Sequence, residues 1–216
     1  RAQPEFNEKV RGLNSKLGSV SLDPDVEVPR YVSASDIHLM PGNYHTERAE
    51  DDTSQAALFD RGLYLYQGGF AGPLCDNNGR SQAEVIKRRW PDFKPKKILD
   101  LGCTVGNNTL PYADVFPDAE LHAIDVAAPC VRYGHARAEA LGRKVRFSQQ
   151  NAEHTNFPDA SFDLVMTHIV VHETSQKALR NILKECRRLL KPGGVTVHCE
   201  TPMYDDRLSP FDQAQT

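Results

Sequence analysis

The chain predicts an α/β fold: a doubly wound, mostly parallel sheet preceded by an N-terminal helical and irregular cap. Three observations carry this expectation. The apolar run Lys97-Ile98-Leu99-Asp100-Leu101 closes on a two-glycine turn, Gly102-Cys103-Thr104-Val105-Gly106. A second run, Leu121-His122-Ala123-Ile124-Asp125, ends in a carboxylate 23 residues after Gly102, near the ~20-residue spacing at which nucleotide-binding α/β units place a ribose ligand. From residue 97 onward, short apolar runs alternate with helical patterns, which implies parallel strands, right-handed crossovers and ligands at the carboxyl ends of the strands.

The elements follow in order. Phe6, Val10, Leu13 and Leu17 recur at intervals of four, three and four, the period of a short amphipathic helix. Residues 21–80 are rich in Pro, Gly, Asp and Tyr and show no clean period. Ser81, with Glu84 three residues on, forms a capping-box pattern for a helix through about Trp90. Strands are expected at 97–101, 120–125, 144–148, 162–167 and 195–200. Helices are expected from about 107, through Leu141, and across 175–190, where Ala178, Leu179, Ile182, Leu183, Cys186, Leu189 and Leu190 make an apolar face. This organisation divides the chain into a cap or lid, 1–80, and a cofactor-binding domain, 81–216.

Composition narrows the class. With 216 residues the chain can bury a full core, and a net charge of −3 gives no general attraction to nucleic acid. Lys87-Arg88-Arg89 with Lys94, Lys96 and Lys97 reads as a solvated helix face or, alternatively, a phosphate-binding edge. No run approaches the ~18 apolar residues of a membrane span and no signal-peptide pattern opens the chain. Five cysteines, at 75, 103, 130, 186 and 199, form no C-x-x-C pair and no metal spacing with histidine, which fits a reducing, cytoplasmic setting and no metal.

The loop chemistry is local. Glycine adopts positive φ and lets backbone approach a ligand, so Gly102 and Gly106 can floor a nucleoside site. Asp125 can accept from two ribose hydroxyls. The alternative for the glycine turn alone is an ordinary strand-to-helix connection. A dinucleotide loop would show a third glycine, which is absent. Downstream come Asn151-Ala152-Glu153, then Phe157-Pro158-Asp159-Ala160-Ser161-Phe162-Asp163-Leu164-Val165-Met166, then Leu189-Leu190-Lys191-Pro192-Gly193-Gly194-Val195. With these segments, over about residues 81–201, the chain closely resembles the class I S-adenosylmethionine (SAM)-dependent methyltransferases and their Rossmann-like sheet.

That resemblance implies a site. Asp100, Gly102 and Gly106 would line the methionine and ribose part of SAM, and Asp125 would hold the ribose hydroxyls. Asn151 and Ala152 would meet the adenine, and Cys103, Val126, Glu153 and Thr167 complete the expected cofactor set. Asn151 stands where the family usually has an aspartate; its side-chain oxygen can accept from the adenine amino group without the charge. Thr104 replaces the usual central glycine, and a β-branched residue there narrows the approach to the cofactor. The family's sheet continues past the fifth of these strands, yet only 16 residues follow Glu200 and the chain begins at Arg1. A truncated or shortened chain is therefore expected, with an open sheet edge that invites a homodimer.

Methyl transfer needs the acceptor held in line and water excluded, with a base only where the acceptor must lose a proton. Candidates follow the fourth strand, in Thr167-His168-Ile169-Val170-Val171-His172-Glu173: His172 first and His168 next, with helix capping or packing beside SAM as the alternative. Glu173 reads as a helix N-terminal charge worth ~0.5 kcal/mol. In the cap, Tyr31, Tyr44, His45, Tyr64 and Tyr66 form an aromatic, hydrogen-bonding set that could hold a cationic acceptor, with Gly68, Gly69 and Gly72 as hinges; ordinary packing is the other reading. The expected function is transfer of a methyl group from SAM to oxygen, nitrogen or sulfur of a small molecule, leaving S-adenosylhomocysteine. The rivals are an RNA or protein methyltransferase, which the mild acidity disfavours, and a SAM-binding regulatory protein without transfer activity.

Overall fold

A computed structural model describes residues 3–13, 17–34, 38, 40 and 42–200. The expectation about the chain's ending concerns residues 201–216, which lie outside them. Six strands form one sheet: β1 Ser19–Ser21, β2 Lys97–Leu101, β3 Glu120–Asp125, β4 Arg146–Gln149, β5 Phe162–His168 and β6 Leu190–Cys199. They stand in the order β1-β4-β3-β2-β5-β6, and every pairing is parallel. After β4 the chain crosses back to place β5 beside β2, so the carboxyl ends of β2 and β5 diverge at a switch point where open sheets bind ligands.

Side chains alternate between the two faces with the strand period of two. Ile98, Leu121, Ala123, Leu164 and Met166 pack one way, against α4 Asn77–Arg89, α5 Leu110–Val115 and α6 Ala128–Ala140. Leu99, Leu101, Ile124 and Val165 pack the other way, against Ile182, Cys186 and Leu189 of α7 Gln176–Leu189, and Phe162 joins them because the register of β5 is irregular between Phe162 and Leu164. Ser175 caps α7, its hydroxyl accepting from Ala178 N–H at 3.1 Å. In the expected apolar face of that helix Leu183 is exposed, while Glu185 is buried, held by Thr155 and Arg188.

Several boundaries differ from the sequence expectation. Helix α4 begins four residues before Ser81, with Asp76 at its N-cap, so the Ser81–Glu84 box is not its start. Helix α5 begins at Leu110, after Thr109 has turned its hydroxyl onto Asp100. Strand β6 starts at Leu190, taking in the Lys191–Gly194 turn with an irregular register against β5. The first helix, α1 Gln3–Gly12, ends before Leu13 and Leu17.

Among its described residues, the stretch without clean period holds α2 Arg30–Ser33, α3 Ser54–Tyr66 and the start of α4, and β1 ends at its first residue, Ser21. Strand β1 adds an edge beside β4, and Glu139 steadies its entry by accepting from the N–H groups of Leu17 and Gly18. Only glycine fits at position 18, because a Cβ there would stand 2.1 Å from the Val145 carbonyl oxygen. Helix α3 docks on α6 through Asp60, which accepts from Tyr133 Oη at 2.9 Å and pairs with Arg137 at 3.4 Å. Around that contact Ala56, with Tyr44 and Phe59, covers Val105, Ala127 and Cys130. The N-terminal segment thus roofs the glycine turn.

Candidate cofactor and acceptor site

The floor is built from the ends of β2 and β3. Gly102 and Gly106 have φ of +77° and +75°, where a side chain is strained. A Cβ on Gly102 would also approach Val170 to 2.8 Å, and one on Gly106 would approach Phe147 to 3.1 Å. Between them Thr104 has φ +45°, so the loop takes a left-handed turn at a β-branched residue. Asp125 fastens that turn: its carboxylate accepts from Thr104 N–H and from Ala127 N–H, each at 2.9 Å. Asp100 accepts from Thr109 Oγ1 through Oδ2, while its buried Oδ1 has no hydrogen-bond partner.

Burial dominates the electrostatics here, because an ionised carboxylate loses its hydration in the interior. Asp100 is pushed up to about 7 by burial, against the opposing Thr109 hydrogen bond. Asp125 is pushed up to about 6, again chiefly by burial, with its backbone donors opposing. Two carboxylates poised to bind hydroxyl or ammonium donors therefore stand at neighbouring strand ends, and the orphaned Asp100 oxygen and the glycine floor fit a nucleoside carrying an amino group.

At the end of β4, Asn151 is buried and its side-chain oxygen accepts Glu153 N–H at 2.8 Å, so one lone pair of the expected adenine acceptor serves its own turn. Glu153 accepts from Asn181 Nδ2 at 2.8 Å and faces Tyr31, whose hydroxyl burial and the nearby carboxylate hold protonated. Val126 gives its carbonyl to Gln149 Nε2, and Ala152 packs against the α7 face of the core. Cys103 is buried with its thiol kept neutral by that burial. Thr167 is fully buried, its hydroxyl paired with His198 Nδ1 at 2.9 Å.

The segment after β5 gathers polar groups that are far apart in sequence. Tyr44 Oη donates to Glu173 Oε1 at 2.9 Å, and His38 Nε2 lies 3.1 Å from the same oxygen. The rings of His38 and His172 meet edge to face with centroids 5.9 Å apart. Donor atoms of His38, His172 and Glu173 all lie within 4.8 Å of one another, close enough for a divalent cation to bridge; no linear spacing announces that group. Glu173 is thus an acceptor within a polar cluster as well as a residue of the 3-10 turn Val171–Glu173. His168 is separate: it is buried, and burial lowers it to about 4, which keeps the ring neutral.

The cap residues divide. Tyr31 and Tyr44 reach the strand ends, and His45 follows Tyr44 with its Nε2 buried. Tyr64 lies over the Gly69 turn beside Arg61, and Tyr66 is 79% exposed at the end of α3; the structure does not bring these two to the others. Sequence reasoning passed over His38 and Glu200, whose partners lie 135 and 28 residues away.

Comparison with known proteins agrees with this architecture. A family model described as "Methyltransferase domain" matches residues 98–194. Demethylmenaquinone methyltransferase of Thermus thermophilus is 35% identical over 129 residues, covering 54% of this chain and 58% of the relative. Ajmaline N-methyltransferase of Rauvolfia serpentina is 30% identical over 190 residues, covering 77% of this chain and 63% of the relative. Phosphoethanolamine N-methyltransferase 2 of Haemonchus contortus, solved with S-adenosylhomocysteine, shares the fold, with a TM-score of 0.57 at 21% identity over 76% of this chain and 38% of its own. The chain spans about half the length of the demethylmenaquinone methyltransferases it matches. A parallel sheet with its switch point beside β2, a glycine floor tied to Asp125 and this match together identify residues 98–194 as a methyltransferase domain of the class I fold.

Proposed function

We propose that the protein transfers a methyl group from SAM to an oxygen, nitrogen or sulfur atom of a small molecule by direct in-line displacement. The observation that carries this reading is the convergence of Tyr44, His38, His172 and Glu173 just beyond β5, beside the floor formed by Asp100, Gly102, Cys103, Gly106 and Asp125. Bound SAM supplies an activated methyl on a sulfonium. The chain's own residues then bind and orient. Asp100 Oδ1 would accept from the amino group of SAM, Asp125 would accept from the ribose hydroxyls, and Val126, Asn151, Ala152 and Glu153 would border the adenine.

Thr167 and His168 act from below as packing that sets the end of β5. Tyr44, with Tyr31 and His45, closes the acceptor side and excludes water. His172 takes the proton from acceptors that must lose one. Tyr64 and Tyr66 belong to the outer wall of the cap. The relatives named for demethylmenaquinone, ajmaline and phosphoethanolamine support a small acceptor over RNA or protein. Cysteines 75, 103, 130, 186 and 199 are free thiols, which supports a cytoplasmic setting. Among the described residues no helix is long and apolar enough to cross a membrane. Among the described residues β6 stands at an edge of the sheet, which supports a homodimer that light scattering would test.

The experiment is calorimetric titration with SAM and S-adenosylhomocysteine, followed by transfer of labelled methyl to demethylmenaquinone, ajmaline and phosphoethanolamine. Micromolar binding with label in a small acceptor supports the reading. Binding with no transfer to small molecules, RNA or protein identifies a regulatory SAM-binding protein instead.

A further inference from the structure

The carboxylate of Glu200, at the end of β6, sits in a socket of three donors. Its Oε1 accepts from Val170 N–H at 2.7 Å and Val171 N–H at 2.5 Å, and its Oε2 lies 2.9 Å from His172 Nδ1. Two successive amides converge on one oxygen because the chain turns sharply before them. Ile169, the residue after β5, has φ +56°. A β-branched side chain in the left-handed region is a backbone outlier of the kind that persists only where surrounding contacts enforce it, and such strain collects at functional sites. Here Ile169 is enforced on one side by its own N–H, which donates to Cys199 O at 2.7 Å, and on the other by Glu200.

We propose that Glu200 is the positioning residue for His172, fixing the imidazole as its Nδ1–H tautomer so that Nε2 is the proton acceptor in methyl transfer. An ionised carboxylate only accepts hydrogen bonds, so the ring nitrogen facing Oε2 must carry the hydrogen. The lone pair is then on Nε2, the nitrogen that Glu200 does not hold. As the bond from the acceptor atom to the methyl carbon forms, the C–S electron pair stays on sulfur. The proton leaving the acceptor goes to Nε2, and the resulting imidazolium keeps its hydrogen bond to an anionic carboxylate. This rests on the reading of His172 as a base given above. His38 meets the imidazole edge to face, with ring centroids 5.9 Å apart, and holds Glu173 Oε1 at 3.1 Å.

The variant Glu200→Gln separates position from packing. Its amide oxygen keeps the two backbone donors, while its NH2 is presented to Nδ1 and donates to it. Long-range 15N NMR of the histidine side chains, on the isotope-labelled full chain, should show His172 as Nδ1–H in the wild type and Nε2–H in Glu200→Gln. Transfer to demethylmenaquinone, ajmaline or phosphoethanolamine should lose about 10²-fold or more in kcat with KM nearly unchanged, and calorimetric SAM affinity should match the wild type. A wild-type Nε2–H tautomer, or the same tautomer in both proteins, overturns the proposal with no acceptor needed. Full turnover in Glu200→Gln where His172→Ala is inactive overturns it while sparing the base. Full turnover in His172→Ala removes the base reading itself.

Discussion

Thr104 N–H donates to Asp125 Oδ2 at 2.9 Å across 21 residues of sequence, so the carboxylate at the end of β3 holds down the turn that follows β2. Asp125→Ala removes this tie together with the proposed ribose acceptor. SAM binding should weaken by ~2–4 kcal/mol, the value of a charge-assisted hydrogen-bond pair. Calorimetry checks it, and unchanged affinity would place the ribose elsewhere.

Thr104 carries a left-handed conformation at φ +45° that glycine adopts without strain. The penalty of ~1–2 kcal/mol for a side chain there exceeds the extra chain entropy a glycine brings to the unfolded state, ~0.5–1 kcal/mol. Thr104→Gly should therefore stabilise the fold by about 0.5–1 kcal/mol, a rise in Tm of roughly 1–4 °C by calorimetry.

Asp100 at about 7 and Asp125 at about 6 make cofactor binding sensitive to pH. Both lie above the unfolded value of 3.8. Their contribution to stability is fully present below 3.8 and is lost as pH rises through 6 and 7. Hydroxyl and ammonium donors favour the ionised forms, so binding should release protons and SAM affinity should fall as pH drops from 8 to 5. Titrations in buffers of different ionisation enthalpy would show the release, and a flat pH profile would remove both carboxylates from the contact set.

His172→Ala should lower turnover by roughly 10²–10⁴-fold on an acceptor that must lose a proton. SAM affinity should stay intact, since the imidazole sits beyond the glycine floor. Steady-state kinetics beside calorimetry separate the two, and equal activity would return His172 to packing.

Strands β2, β3 and β5 are readable from sequence because burial on both faces makes them continuous apolar runs, and α7 because its stripe repeats at 3.6. The floor residues are readable for the same reason: a glycine turn follows a strand directly. Helix α3 escapes notice because Leu58, Leu65 and Tyr66 stay exposed and blur its buried face. Strand β1 is three residues long, and its partner starts at Arg146. His38 and Glu200 acquire meaning only when folding sets them against Glu173 and His172.

Val105, fully buried between Thr104 and Gly106, lies in one cluster with Ala56, Tyr44 and Phe59. Opening the turn breaks that contact, which couples the turn to the cap. On the proposed function, release of the spent nucleoside should then follow local unfolding of the N-terminal segment. Phe59→Ala, which removes the ring that meets Tyr44 edge to face at 5.5 Å, should then shorten the residence time of S-adenosylhomocysteine in stopped-flow displacement.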